Sequence, residues 1–216
     1  MRAIEFAKWF INGGYDVPRN TLEGNMRLQK LLYFAQLIHL ARYGKVLFSD
    51  PIHAFRNGLV IEDVRLRYKN DFLNLLMEAQ SSVFDFSHEE MATLKITVDI
   101  FGDCSVDELS RLNHLQHSWR TAFEASRNGN FHQKELAKIQ IDDLMNDDLQ
   151  NIRQVLNAYE MASVNDKYIE VNGVRYYYNS TEIEINENLI SQLKAFPAKE
   201  TAYSICCDES QGLIIY

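Results

Sequence analysis

The chain has 216 residues, which is enough for one large domain or for one domain with a small appendage, and 46% of them are hydrophobic, as in a globular protein with a substantial core. The formal net charge of -8 weighs against a protein that grips nucleic-acid phosphates, because that affinity comes mainly from Lys and Arg. No stretch approaches the roughly 20 consecutive apolar residues of a membrane-spanning helix.

The first 160 residues are predicted to be mainly helical. In chain order, the predicted helices cover residues 3–11, 25–43, 58–68, 88–101, 105–114, 117–126 and 147–162. Asn25 is expected to cap the second helix, and Gly44 suits its C-terminal end. SHEE and SVDE, which begin at Ser87 and Ser105, match the capping box, in which a serine and a glutamate satisfy each other's free backbone amides. Residues 45–56 are expected to be extended or irregular.

The composition changes after residue 162. KYIEVNGVRYYYN, residues 167–179, is rich in strand-forming residues around an Asn-Gly pair, the strongest short-range signal for a type I′ hairpin. A second hairpin is predicted in residues 202–216, and a helix over residues 187–195 separates the two. The predicted fold is therefore mainly α: a helical bundle-like domain, residues 1–162, and a small C-terminal α+β extension with β-hairpins, residues 163–216.

The cysteines and the N-terminus indicate a reduced, cytoplasmic protein. Cys206 and Cys207 are adjacent, and an odd total of three does not suit a disulfide framework. Near the N-terminus, Glu5 and Lys8 interrupt the apolar run that a signal peptide needs.

The second predicted helix, within MRLQKLLYFAQLIHLARYG, carries polar residues on an otherwise apolar surface. A helix that is apolar almost all round is buried among other elements. Gln29 and Gln36 are seven residues apart and lie on one face, with His39 beside them one turn further on. Buried polar groups of this kind are normally paired with neighbouring backbone or side chains. Alternatively, the stripe lines a groove for a partner, and the residues alone leave both interpretations open.

Three segments resemble the motifs of the Panacea-domain family, also called SocA-like. MRLQKLLYFAQ, residues 26–36, is similar to the helix with which the family's motif opens. PIHAFRNGLVIEDV, residues 51–64, resembles the second signature, Ala-Trp-x-x-Gly-Pro-Val. LSRLNHLQHSWRTA, residues 109–122, is similar to the third, Leu-Ser-x-x-Thr-His followed by Pro-Trp-x-x-Ala. The residues that depart from the family pattern are Phe55, Leu59, Arg65, Asn113 and Ser118.

The family is best known for prophage-associated antitoxins of toxin–antitoxin pairs, and related members are adaptors that deliver a toxin to a protease. The resemblance therefore implies a non-enzymatic protein that binds a toxin encoded nearby, with a protease as a further candidate partner and no cofactor. Neither a membrane nor a nucleic acid is expected as a partner.

Two other classes of function remain as alternatives. His114 and His117 are three residues apart and could contribute to a small metal-dependent hydrolase, but a zinc site needs further ligands that no spacing supplies. A simpler role for His114 is to donate a hydrogen bond to a backbone carbonyl and hold the turn before Trp119. The second alternative, a DNA-binding autoregulator, is weakened by the charge balance.

The tail supplies two further candidates for contact with a partner. Tyr176 and Tyr178 share one face of a predicted strand, and tyrosine is common both at interfaces and in strands. The residues predicted to bind a partner or to carry the family motifs are Gln29, Lys30, Gln36, His39, Phe55, Arg56, Asn57, Gly58, His114, Trp119, Tyr176 and Tyr178.

Overall fold

A computed structural model describes residues 1–128, 131–144, 147–165, 167–180, 182–208 and 212–216. The chain divides into two units, Met1–Gln154 and Val155–Tyr216. Helices dominate the first unit and a four-stranded sheet dominates the second. The predicted class, mainly α with a small C-terminal extension that contains hairpins, is confirmed. Within the described ranges, none of the helices has the length and hydropathy needed to cross a bilayer.

The first unit is built from short helices around one long one. Its helices are α1 (Ala3–Asn12), α2 (Leu22–Tyr43), α3 (Glu62–Asn70), α4 (Phe72–Ser81), α5 (His88–Phe101), α6 (Val106–His114), α7 (His117–Ser126) and α8 (Ile141–Leu144), with α9 (Asp147–Asn165) continuing into the second unit. Two hairpins are formed by β1 (Ile52–Phe55) with β2 (Gly58–Ile61) and by β3 (Arg127–Asn128) with β4 (Phe131–His132). A single 3-10 turn covers Lys134–Ala137. Both predicted capping boxes are present, at Ser87 and Ser105.

Helix α2 forms the centre of the first unit. Every residue from Leu28 to Leu40 is buried, and α2 packs against α1, α3, α5, α6 and β2. The predicted cap at Asn25 is wrong, because Thr21 caps the helix: its Oγ1 accepts a hydrogen bond from the Gly24 amide at 3.0 Å. Asn25 instead lies within α2. The predicted end is confirmed at Gly44, whose φ of 65° is left-handed.

The helix predicted to open at Gly58 is also wrong in its first turn. Residues 58–61 form β2, and α3 begins at Glu62. Gly58 has a φ of 110°, which no α-helix accommodates. Val60 and Ile61, which suit a strand because they are β-branched, pair with the residues of β1. The helix was predicted because Val60, Ile61, Val64 and Tyr68 follow a helical spacing, but pairing with β1 makes residues 58–61 a strand.

A buried carboxylate from α9 caps helix α7. Asp148 is fully buried, and its two oxygens accept the backbone amides of His117 at 2.6 Å and Ser118 at 3.2 Å. Its Oδ2 also accepts the hydroxyl of Tyr33, from α2, at 3.2 Å. Burial, followed by the nearby Asp148, raises the pKa of Tyr33 well above its ordinary value, so the phenol stays protonated and acts as a donor. This carboxylate therefore ties three helices together.

After the end of α9, the described part of the second unit forms one mixed sheet and a short helix. Its strands are β5 (Lys167–Val171), β6 (Val174–Tyr178), β7 (Ala202–Asp208) and β8 (Gly212–Ile215), in that spatial order, and its helix α10 covers Glu187–Ala195. The predicted hairpin around Asn172 and Gly173 is confirmed, with φ values of 54° and 78°. Strands β7 and β8 also pair antiparallel, while residues 209–211 of their turn lie outside the described residues. The two hairpins were predicted as separate elements, but parallel pairing of β6 with β7 joins them into one sheet.

Candidate functional site

The turn between β1 and β2, Phe55–Gly58, is bonded to side chains from two helices, and we call it the hairpin turn. Trp119, from α7, donates its indole Nε1–H to the carbonyl of Phe55 at 2.9 Å. Lys30, from the buried centre of α2, donates from Nζ to the carbonyl of Asn57 at 3.1 Å. Two helices thus hold the backbone on either side of the residue between them.

A third helix holds that middle residue, Arg56. The ring of His114, at the end of α6, lies beside the Arg56 backbone, which favours the protonated imidazole. Burial lowers the pKa of His114, and the Arg56 backbone acts in the opposite direction. The His114 ring also packs against the Trp119 ring, with 4.3 Å between centroids. The prediction placed the contact of His114 at the turn before Trp119, whereas the structure places it at the hairpin turn. Side chains from three helices therefore lie against this turn, and two of them donate hydrogen bonds to its backbone.

Gly58 is required for this arrangement. Its φ of 110° lies in the region that side chains rarely adopt. A Cβ at this position would come within 3.4 Å of both the Lys30 ammonium and the Asn113 amide oxygen. Asn113 is one of the departures from the family pattern, and both polar atoms of its buried side chain lack a partner in the described structure.

The polar stripe of α2 is mostly satisfied by backbone. Gln36 accepts the amides of Leu47 at 2.8 Å and Phe48 at 3.1 Å, and donates to the Phe48 carbonyl at 3.0 Å. His39 bonds through Nδ1 to the Thr93 hydroxyl at 2.8 Å, and burial lowers the pKa of its imidazole. For these two positions the structural interpretation holds, because their polar atoms point to buried neighbours within the fold.

Gln29 has both a structural bond and a place at the wall of a cavity. Its Oε1 accepts the Ile61 amide at 2.8 Å, and its Nε2 donates to the Asn25 side chain at 3.3 Å. The cavity has a volume of about 860 Å³ and opens beside the hairpin turn. It is lined by Asn20, Thr21, Leu22, Asn25, Met26, Gln29, Lys30, Phe55, Arg56, Asn57, Leu59, Val60, Arg65, Tyr68 and Lys69.

The charged groups of this cavity are all cationic. Lys30, Arg56, Arg65 and Lys69 line it, and its lining contains no Asp or Glu. Arg65 is engaged by two hydrogen bonds to Glu62, at 2.9 and 3.1 Å. Lys30 is only 1% exposed, and burial lowers its pKa to about 8.

Trp119, one of the residues predicted to bind a partner or to carry a family motif, lies half-buried in a row of aromatic rings. Its indole stacks on Phe123 at 4.9 Å, which in turn stacks on His132 at 4.9 Å. In the second unit, Tyr176 is buried in the core and Tyr178 packs against that core. Contact of these residues with a partner stays a prediction.

The two histidines of the proposed hydrolase have different partners. His114 faces the hairpin turn, whereas the exposed His117 bonds through Nε2 to the Thr121 hydroxyl at 3.2 Å. The described residues contain no group of three or more His, Cys, Asp or Glu placed to hold a metal ion.

The sequence interpretation missed the cations at the outer wall of the cavity. Arg65 and Lys69 are four residues apart on α3, and this spacing puts them on one face of the helix. That signal was available, but nothing local indicated that this face meets the hairpin turn.

A scan against protein-family models matches residues 28–120 to the antitoxin SocA-like, Panacea domain. This range includes Lys30, His114 and Trp119, the three residues that contact the backbone of the hairpin turn. The whole of the second unit lies beyond it. Searches of curated proteins and of solved structures returned no match.

The lowered pKa of Lys30 gives the stability of the chain a specific pH dependence. Folded Lys30 loses its proton near pH 8, whereas unfolded lysine keeps it to about 10.5, so the unfolded state binds more protons in between. The free energy of unfolding should therefore rise with pH, by roughly 2 kcal/mol between about pH 7 and pH 9.5. We expect urea denaturation to show this rise in the wild type and in the exposed control Lys95→Met, but not in Lys30→Met. Equal slopes in all three would contradict the assignment.

Proposed function

Since residues 28–120 give this chain a SocA-like Panacea domain, we propose that it is an antitoxin that neutralises a protein toxin by binding it directly, without catalysis. The proposal is supported by one observation above all: within the matched range, side chains from three helices lie against the hairpin turn. Lys30 and Trp119 donate hydrogen bonds to its backbone and so give the turn a defined shape.

A fixed turn suits protein recognition for an energetic reason. Binding costs free energy for each loop and side chain that must be ordered, and a turn that is already held avoids much of that cost. At the same time, the side chains of Arg56 and Asn57 are exposed. Arginine and aromatic residues are the side chains that most often dominate binding energy at interfaces. The half-buried Phe55 and Trp119 lie on the same feature and would supply apolar contact.

The second unit is proposed to add selectivity for a particular toxin. Strands β5 and β8 are the two edges of its sheet. An unpaired edge can accept an extended segment of a partner through backbone hydrogen bonds. Ser204 and Tyr216 exchange both backbone hydrogen bonds, so the antiparallel alternation directs the amide of Ile215 away from β7, toward the open edge.

Two outcomes of binding are compatible with the family. The antitoxin either holds the toxin inactive or delivers it to a protease. We favour inhibition by binding, because the hairpin turn lies within the matched range and forms a ready-made surface together with the cavity beside it. Toxin levels distinguish the two: they stay constant under inhibition and fall under delivery.

A growth assay tests the proposed function. The products of the genes adjacent to this one are expressed singly in a bacterial host, with and without the chain, and growth and toxin level are followed. We expect one product to be toxic and the wild-type chain to restore growth. Arg56→Glu should abolish rescue and weaken binding by about tenfold or more, because a charge at the centre of an interface is replaced by its opposite.

The matched control is Lys95→Glu, which makes the same change of charge at an exposed position of α5. It should rescue like the wild type. Arg56→Glu rescuing fully would remove the hairpin turn from the binding surface, and no rescue by the wild-type chain would refute the antitoxin proposal.

The role of the sheet edge is tested by Ile215→Pro, compared with Ile215→Ala. Both remove apolar contact with the core, but only proline removes the outward amide. We expect the two variants to melt alike, and Ile215→Pro alone to lose affinity for the toxin in a calorimetric titration. Equal affinities would show that this edge takes no part in recognition.

A further inference from the structure

The cavity beside the hairpin turn has a charge opposite to that of the chain. The protein carries 30 acidic and 22 basic residues. Four of those basic residues nevertheless line this one cavity, together with no acidic residue. Cations gathered in a concave surface with low-dielectric walls raise the local concentration of anions. The composition of the cavity therefore selects an anionic group.

The innermost cation lacks a counterion. The Lys30 ammonium is 1% exposed and lies within ion-pair distance of no carboxylate in the described part of the chain. An ammonium has three donors, and the Asn57 carbonyl takes one of them. A buried charge without a partner is unfavourable, and a carboxylate that enters the cavity would offset that cost.

The outer cations are positioned to guide such a group inward. Arg56 and Lys69 are exposed at the wall of the cavity and form no ion pair with a described carboxylate. Arg65 is already paired with Glu62 through two hydrogen bonds. The arrangement thus offers two free charges at the wall and one buried inside.

The remaining lining indicates an acidic peptide more than a free inorganic anion. Apolar side chains, including Leu22, Met26 and Leu59, share the wall with the cations. The volume of about 860 Å³ is also far larger than a phosphate ion requires, and lies in the range of sites for small organic ligands. Several neighbouring side chains of a peptide would fill such a space, with a carboxylate on the ammonium and an apolar group on the wall.

We propose that this cavity is the receptor for an acidic segment of the toxin, in which an Asp or Glu carboxylate pairs with Lys30 and an adjacent apolar side chain contacts Met26 and Leu59. The inference rests on the proposed function, since it names the chemistry that the partner presents to the hairpin turn. It also explains why an acidic antitoxin would keep a lysine in its core.

The test uses the full chain and a probe of defined chemistry. A fluorescein-labelled peptide of alternating glutamate and leucine is titrated with protein and followed by fluorescence anisotropy, beside a peptide of alternating lysine and leucine. We expect only the glutamate peptide to bind. Lys69→Glu, an exposed position, and Lys30→Met should each weaken that binding by about tenfold or more, and Lys95→Glu should leave it unchanged.

Three results would overturn the inference. They are failure of the glutamate peptide to bind, equal binding by all variants, and displacement of the peptide by equimolar inorganic phosphate, which would identify a site for small anions. Lys69→Glu keeps the test valid if Lys30→Met folds poorly. Because no toxin is present, the peptide assay reports on the cavity alone. Rescue of growth by the wild type with failure of the peptide assay would leave the antitoxin proposal standing.

Discussion

The hydrogen bond from Lys30 to the Asn57 carbonyl is the interaction on which the site depends. It links the fully buried centre of α2 to a turn at the protein surface. Removing an ammonium from water costs several kcal/mol even after the protein relaxes. A core helix would satisfy its packing better with an apolar residue here. Lys30 instead bonds to the turn and lines the cationic cavity, so one buried side chain contributes to both features.

The other helices reinforce the same feature. His114 and Trp119 come from α6 and α7, and Asp148 fixes the start of α7 by accepting its first amides. Substitution of Asp148 would therefore disturb the start of α7 and, with it, the position of Trp119, which bonds to the hairpin turn. Asp148 and Trp119 themselves bond to different groups. The residues of α2, α6 and α7 that contact the hairpin turn all lie within the range matched to the antitoxin family. The matched segment therefore supports this one surface.

Interactions between residues close in the sequence, such as the capping boxes, could be predicted, whereas pairing between distant segments could not. The capping boxes at Ser87 and Ser105 were identified because each needs only four residues. The segment after Gly58 was assigned to a helix because Val60, Ile61, Val64 and Tyr68 follow a helical spacing. Only the pairing of residues 58–61 with β1 excludes the first turn of that helix. The glutamines were recognised as a polar stripe on a buried helix, but the sequence did not identify the groups to which they form hydrogen bonds. The cavity could not be predicted, since it joins α2, α3 and the hairpin turn across the fold.

We propose that the hairpin turn is rigid before binding and is the surface that meets the toxin. Hydrogen exchange of the full chain, free and with toxin bound, tests it most directly, because exchange rates report local opening. We predict slow exchange of the β1–β2 amides in the free chain and added protection there on binding. Fast exchange in the free chain, or protection confined to other elements, would contradict the claim.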